Sequence, residues 1–258
     1  MLASQRQNQI HELLKKQGSV TVGQLTADFD VSVETVRRDL LAMERAGLLS
    51  RVHGGAVAAA PMMPYRPLES RDRDQSTQKD RLAHIAAALV KEGDYIAIGT
   101  GSTPIYFAQA LKERLQRLTV VTYSLRVFEI LRDVPGFRLI LLGGQYIPQE
   151  HSFYGQLTLD MMGALHVQKA FVFPSAVSLE SGIWGFEETL YPMQKKMLQC
   201  CDQAYILADS SKFERTAMYK VSDMRPEYIY VTDPELPESL RALYIENGYR
   251  VLTGGERE

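Results

Sequence analysis

Cysteine is nearly absent: the 258 residues hold two, adjacent at Cys200-Cys201. An adjacent pair builds no disulfide framework and lacks metal-ligand spacing, so the thiols read as structural and the compartment as reducing. Long apolar runs are missing as well. Nothing approaches the roughly 18 residues of a membrane span, which excludes a membrane partner. The opening MLASQRQNQIHELLKKQG lacks the apolar core of a signal peptide, so a cytoplasmic location is expected. No charge of one sign dominates. Lys and Arg number 29 against 31 Asp and Glu, net −2, so no global basic field advertises nucleic acid and any DNA contact must be local. Neither GxxxxGK[ST] nor GxGxxG occurs, which argues against a nucleotide-binding module. No metal or cofactor is implied. What remains is an ordinary globular composition, 45% hydrophobic and 23% charged, ample for a core.

The first sixty residues read as three short helices and a hairpin. Ile10, Leu13 and Leu14 share one face of a helix over 6–16, which Gly18 stops. Thr21 caps a second helix holding Leu25 and Phe29. In "DFDVSVETVRRDLLAMERAG", Asp30-Val31 make the turn, Ser32 caps, and Glu34 suits the first turn. Val36, Leu40 and Met43 form the inward stripe, leaving Thr35, Arg37 and Arg38 outward at the helix start. Arginine there pairs with phosphates or guanine edges, and threonine donates to the backbone. "GLLSRVHGGAV" reads as strand, turn and strand, a wing whose Arg51 and His53 reach toward a duplex. The other reading is a helical bundle with a solvated Arg pair; residues 1–60 carry seven Lys/Arg and six Asp/Glu, so only the clustering favours DNA.

"VSVETVRRDLLAME" followed by "GLLSRVHGGA" resembles the DeoR-type winged helix-turn-helix of bacterial transcriptional regulators, over residues 24–56. The resemblance implies operator DNA as a partner. The DNA-contacting set is then Thr21, Ser32, Thr35, Arg37, Arg38, Arg51, His53 and Gly54.

"AAAPMMPYRPLESRDRDQSTQ" has three prolines, alternating charge and no apolar period, and reads as a linker. A helix over 78–91 follows. Short apolar strands are then expected at 95–98, 118–123, 138–142, 169–173, 204–208, 228–232 and near 250–252, with helices between most of them. That alternation predicts a mostly parallel sheet covered on both faces, with ligands at the carboxyl ends of the strands. The fold class is therefore α/β: a small N-terminal winged helix-turn-helix domain (1–58), a linker (59–77), and a larger α/β domain (78–258).

The strand ends carry small and polar residues. After the first comes Gly99-Thr100-Gly101-Ser102-Thr103-Pro104, with Thr103 as N-cap and Pro104 at N1, a cradle for an anion. After the second come Ser124 and Arg126; after the third, Gly143-Gly144. After the fifth comes Asp209-Ser210-Ser211-Lys212, and after the sixth Asp233. One such loop is usually plain turn chemistry. The constellation adds a lysine counter-charge for phosphate and an aspartate for sugar hydroxyls.

The resemblance extends through "TGSTPIYFAQAL", "VVTYSL", "LLGGQYIPQEHSFYG", "LADSSKF" and "VTD", in the order of the DeoR sensor domain, itself similar to ribose-5-phosphate isomerase. Many family members have Asp-Ala-Gly-Ser-Thr and Thr-Asn-Ser where this chain has Gly99-Thr100-Gly101-Ser102-Thr103 and Thr122-Tyr123-Ser124. "GFEETLYPMQKKM" departs too, so Glu187, Glu188, Lys195 and Lys196 carry no assigned role. The resemblance implies a repressor of a carbohydrate or nucleoside operon, released by a phosphorylated sugar and working as a homodimer or homotetramer. The alternative is an isomerase-like enzyme with a DNA-binding appendage, Glu187 or Glu188 serving as base.

Overall fold

The structure, a computed structural model, describes residues 1–46, 48–58 and 62–254. Gly47, the first linker residues 59–61 and the terminal 255–258 lie outside the described residues.

The N-terminal part comprises α1 (Ala3–Gln17), β1 (Ser19–Thr21), α2 (Val22–Phe29), α3 (Val33–Arg45), β2 (Leu49–Val52) and β3 (Gly55–Ala58). Thr21 and Ser32 cap α2 and α3 by accepting from the Gln24 and Thr35 amides. Ile10, Leu14, Leu25, Val36, Leu40 and Met43 meet in one small core. The three strands run in the order β1-β3-β2, antiparallel. The sequence pattern had shown only two of them, because β1 is three residues long and runs straight into a helix cap. Gly55 permits the pairing: a Cβ there would meet the Val20 carbonyl oxygen at 2.1 Å. On the inner side of α3, Asp39 is 4% exposed and binds Arg6, itself 6% exposed.

Residues 62–75 are an ordered strap lying on the second domain. It contains a single turn of helix, α4 (Leu68–Arg71). Helix α5 (Ser76–Ala88) begins two residues earlier than the pattern predicts, after Gln75 at φ 53°.

Then follow β4 (Tyr95–Ile98), α6 (Thr103–Arg114), β5 (Leu118–Thr122), α7 (Leu125–Leu131), β6 (Phe137–Leu141), the hairpin β7 (Gln145–Ile147) and β8 (Ser152–Tyr154), and α8 (Gln156–Gly163). Next come β9 (Val167–Val172), β10 (Ala176–Ser178), β11 (Gly182–Gly185), α9 (Tyr191–Gln199), β12 (Cys201–Leu207), β13 (Tyr219–Ser222), β14 (Ile229–Val231), α10 (Glu238–Glu246) and β15 (Arg250–Leu252). Among the described residues, seven strands form one parallel sheet in the order β15-β14-β12-β9-β4-β5-β6. These are the seven strands the apolar runs predict. Alternate residues bury on opposite faces: Ile96 and Ile98 under α5 and α6, Ala97 on the side of α8, α9 and α10. The order reverses between β4 and β9, which opens a crevice beyond their carboxyl ends. No helix among the described residues is long and apolar enough to cross a membrane.

Helix α10 joins the two parts. Asn247, just past its end, donates to the His53 carbonyl at 3.2 Å, and Ser19 and Ser239 meet at 3.3 Å. The helix is tied inward by Tyr244, whose hydroxyl donates to Glu214 at 2.5 Å. Burial pushes the Glu214 carboxyl up from about 4.5 to about 7. A carboxyl that favours its proton when folded contributes fully below its ordinary range and loses that contribution as pH climbs through the folded value. Glu214→Gln keeps a neutral group throughout. Its stability should therefore gain on the wild type between pH 4.5 and 7, by on the order of 3 kcal/mol. Parallel melting curves for the two proteins across that range would refute this.

Candidate functional site

The candidate DNA face is the start of α3. Arg37 and Arg38 are exposed on it, pointing away from Val36, Leu40 and Met43, and neither makes an ion pair among the described residues. Ser32 and Thr35 are linked hydroxyl to hydroxyl at 2.9 Å, which fixes the helix start. Thr21 spends its oxygen on the α2 cap. The wing is arranged differently from the expectation. Arg51 is engaged by Glu44 at 3.1 Å, and the His53-Gly54 turn lies against α10, with Glu246 beside Gly54. In this arrangement Arg37 and Arg38 are exposed cations of the face, and the wing tip contacts α10.

A candidate ligand cavity, about 370 Å³, lies in the crevice between the ends of β4 and β9. Its floor is the β4–α6 loop, Thr100 to Pro104. Ser102 is the N-cap of α6, without a side-chain cap bond, so Thr103 is the first helical residue rather than the cap. Pro104 carries no N–H and the Ile105 amide donates to the Ser102 carbonyl at 3.2 Å, which leaves the Thr103 amide at the helix start for a ligand, and the helix dipole favours an anion there. The Thr103 hydroxyl is buried and has no hydrogen-bond partner, although the residue is 1% exposed. Gln194 Oε1 and Arg71 Nε, both from lining residues, are buried and unpartnered too. Buried polar atoms without partners are costly. Three around one cavity point to a polar ligand.

Two lysines stand at the cavity. Lys212, after β12, is half-buried and loosely held, 3.3 Å from the Pro174 carbonyl and 3.6 Å from Asp209. Lys79 on α5 is 3% exposed; burial first, then repulsion from Lys212, brings its amine down to about 8. Burial lowers Lys212 as well. Arg66, Arg71, Lys79 and Lys212 line the cavity against Asp74, Glu150, Glu187 and Asp209, so its formal charge is balanced. Arg66 and Arg71 are held by Asp74 and Glu150, whereas Lys79 donates to carbonyls and Lys212 lies 3.6 Å from Asp209, which leaves these two amines to meet an anionic guest.

Of the residues the sequence singled out, Thr100, Gly101, Ser102, Thr103, Asp209 and Lys212 line this cavity. Gly99 lies behind it, packed on Phe173. Ser124 caps α7, and Arg126 is exposed and pairs with Glu129 at 3.7 Å. Gly143 accepts from Thr158, and Gly144 leaves room for that hydroxyl: a Cβ would stand 2.2 Å from it. None of these five lines the cavity; Gly143 and Gly144 follow the third strand, which lies at the sheet edge, two strands from the crevice. Asp233 holds the turn after β12 by accepting from Ser210. Glu187 lines the cavity and accepts from Thr189; Glu188, Lys195 and Lys196 do not line it. Lys79, Arg71, Gln194, Tyr65 and Glu150 are additions. Only Lys79 carried a signal: it stands three residues before Leu82 on the apolar stripe of its helix.

A winged helix-turn-helix joined to an α/β domain with a polar cavity at its switch point defines a DNA-binding regulator with a sensing domain. Comparison with known proteins makes it specific. Residues 6–61 match the DeoR-like helix-turn-helix domain and 74–234 the DeoR C terminal sensor domain, so this chain belongs to the DeoR family of transcriptional regulators, which are not enzymes. It is 31% identical to the L-fucose operon activator of Haemophilus influenzae, over 92% of this chain and 94% of that one. It is 35% identical to the lactose phosphotransferase system repressor of Lactococcus lactis, over 83% and 85%. Among solved structures, ribose 5-phosphate isomerase A from Neisseria gonorrhoeae overlays with a TM-score of 0.38 at 20% identity, over 52% of each chain.

Proposed function

We propose that this regulator represses a carbohydrate or nucleoside catabolic operon and is released from its operator by a phosphorylated sugar. The observation that carries the reading is the unpartnered Thr103 hydroxyl at the uncapped start of α6, in a cavity that also holds Lys212 and Lys79. The phosphate takes the Thr103 amide and hydroxyl and Lys212, and Asp209 and Gln194 take sugar hydroxyls. The matched relatives include repressors of the lactose phosphotransferase system, the aga operon and the glycerol-3-phosphate regulon beside the L-fucose operon activator, which supports repression as the direction of control. Residues 1–58 bind DNA in the cytoplasm, 59–77 link, and 78–258 sense the effector and assemble a homodimer or homotetramer, since single winged domains cover few base pairs. A thermal-shift screen of phosphorylated sugars against the full chain, followed by operator binding with each hit, tests the reading. Stabilisation by none of them would refute it.

The α3 arginines give a second test. Arg37→Ala and Arg38→Ala should each weaken operator binding by about 1–3 kcal/mol where the arginine reads a base. A phosphate contact instead lowers the salt slope by about one unit. Unchanged affinity and slope in both variants would remove α3 as the recognition helix.

A further inference from the structure

The strap over residues 62–75 is both the tether of the DNA-binding domain and a wall of the ligand cavity. Met63 donates from its amide to the Thr216 carbonyl at 2.9 Å, four residues beyond Lys212. The Tyr65 ring meets Phe186 edge-on, and its hydroxyl donates to Glu150 at 3.2 Å. Arg71 donates to both carboxylate oxygens of Glu150, at 2.6 and 2.5 Å. Lys79 donates to the Arg71 and Asp74 carbonyls, and Tyr106 to that of Asp72 at 3.1 Å. Met63, Tyr65, Arg71 and Asp74 all line the cavity.

Glu150 is 3% exposed, and the partners shown for its carboxylate are both strap side chains. Burial raises its pKa, and the Arg71 charge is what chiefly opposes that rise. Arg71 also reaches into the cavity electrostatically, since its charge lowers both Lys79 and Lys212. It keeps a buried Nε–H without a partner. The guanidinium therefore stands between a carboxylate of the wall and the place where an anion would enter. A phosphate dianion offers more charge than a carboxylate and a matching fork geometry.

We propose that a phosphate-bearing effector takes Arg71 away from Glu150, so that ligand binding and detachment of the strap are one event. This rests on the phosphate reading of the cavity. The exchange supplies the differential contact that coupling requires: one ligand, two arrangements of the tether, and Arg71 bound to a different anion in each. Glu150, buried and stripped of its cation, then takes up a proton. The strap enters α5 through Gln75 in the left-handed region, a strained residue at which detachment can begin.

The test is hydrogen exchange of the full chain, read at 62–75, with and without ribose 5-phosphate, glucose 6-phosphate, fructose 1,6-bisphosphate or inorganic phosphate. Thermal shift reports binding in parallel. A probe that stabilises the wild type should speed exchange across the strap. Glu150→Gln should speed strap exchange without any probe and bind that probe more tightly, because the competing charge is gone. Arg71→Gln should weaken it by roughly ten- to hundredfold. A probe that binds while strap exchange stays unchanged, with unaltered affinity in Glu150→Gln, would overturn the exchange and leave the phosphate reading standing. No stabilisation by any probe would overturn the phosphate reading, and this inference with it.

Discussion

Asp39→Ala is expected to unfold the DNA-binding domain at temperatures where the sensor domain stays intact. Asp39 and Arg6 are each almost fully buried, on α3 and α1, and Gln7 also donates to Asp39 at 3.2 Å. Removing the carboxylate leaves the Arg6 guanidinium buried without a counter-charge. Breaking such a pair costs about 3–5 kcal/mol. The apolar core it supports is small, built around Ile10, Leu14, Leu25, Val36, Leu40 and Met43. Small domains hold only about 5 kcal/mol in reserve, so the loss consumes most of it. A calorimetric scan should show a low-temperature transition absent from the wild type, and operator binding should vanish with it. Arg6→Leu combined with Asp39→Leu should recover most of the stability, because both charges then leave together. A single variant that melts like the wild type and holds the operator would show that the pair contributes nothing.

Asp39 also marks where the sequence was readable and where it was not. It follows Val36 by three residues and precedes Met43 by four, on the stripe that correctly predicted the inward face of α3. Read as one more polar residue beside Arg37 and Arg38, it gives no hint of Arg6, thirty-three residues away. The parallel sheet was legible because each of its strands is a short apolar run between helices, as at Tyr95–Ile98. The antiparallel pieces, β7 with β8 and β11 with β10 and β13, were not. Gln145–Ile147 and Gly182–Gly185 are short, lie beside glycines and pair with partners that local pattern does not name. The same division runs through the site. Thr103 and Lys212 follow predicted strands, so sheet topology alone brings them to one edge. Arg71 and Glu150 come from a charged stretch and a short 3-10 turn, and only their mutual contact makes them part of a cavity.

Lys212→Ala should produce a regulator that binds its operator normally and no longer answers to the effector. Lys212 stands against the cavity on loose partners, so its charge is available to a guest. A charge-assisted hydrogen bond to a phosphate contributes roughly 1.5–3 kcal/mol, about ten- to hundredfold in affinity. The change removes the cation 3.6 Å from the buried Asp209, a cost to the fold that is offset in part because repulsion on Lys79 is relieved and Asp209 keeps its hydrogen bond from Ser211. Nothing in the α3 face depends on it, so operator affinity without effector should match the wild type. Operator release should be followed by fluorescence anisotropy against the sugar phosphate that stabilises the wild type, with the sugar recovered afterwards. The variant curve should shift to about ten- to hundredfold higher effector concentration, with Lys212→Arg falling between. The recovered sugar should be unchanged, as expected of a sensor that binds without turnover. Superimposable release curves would take Lys212 out of the site.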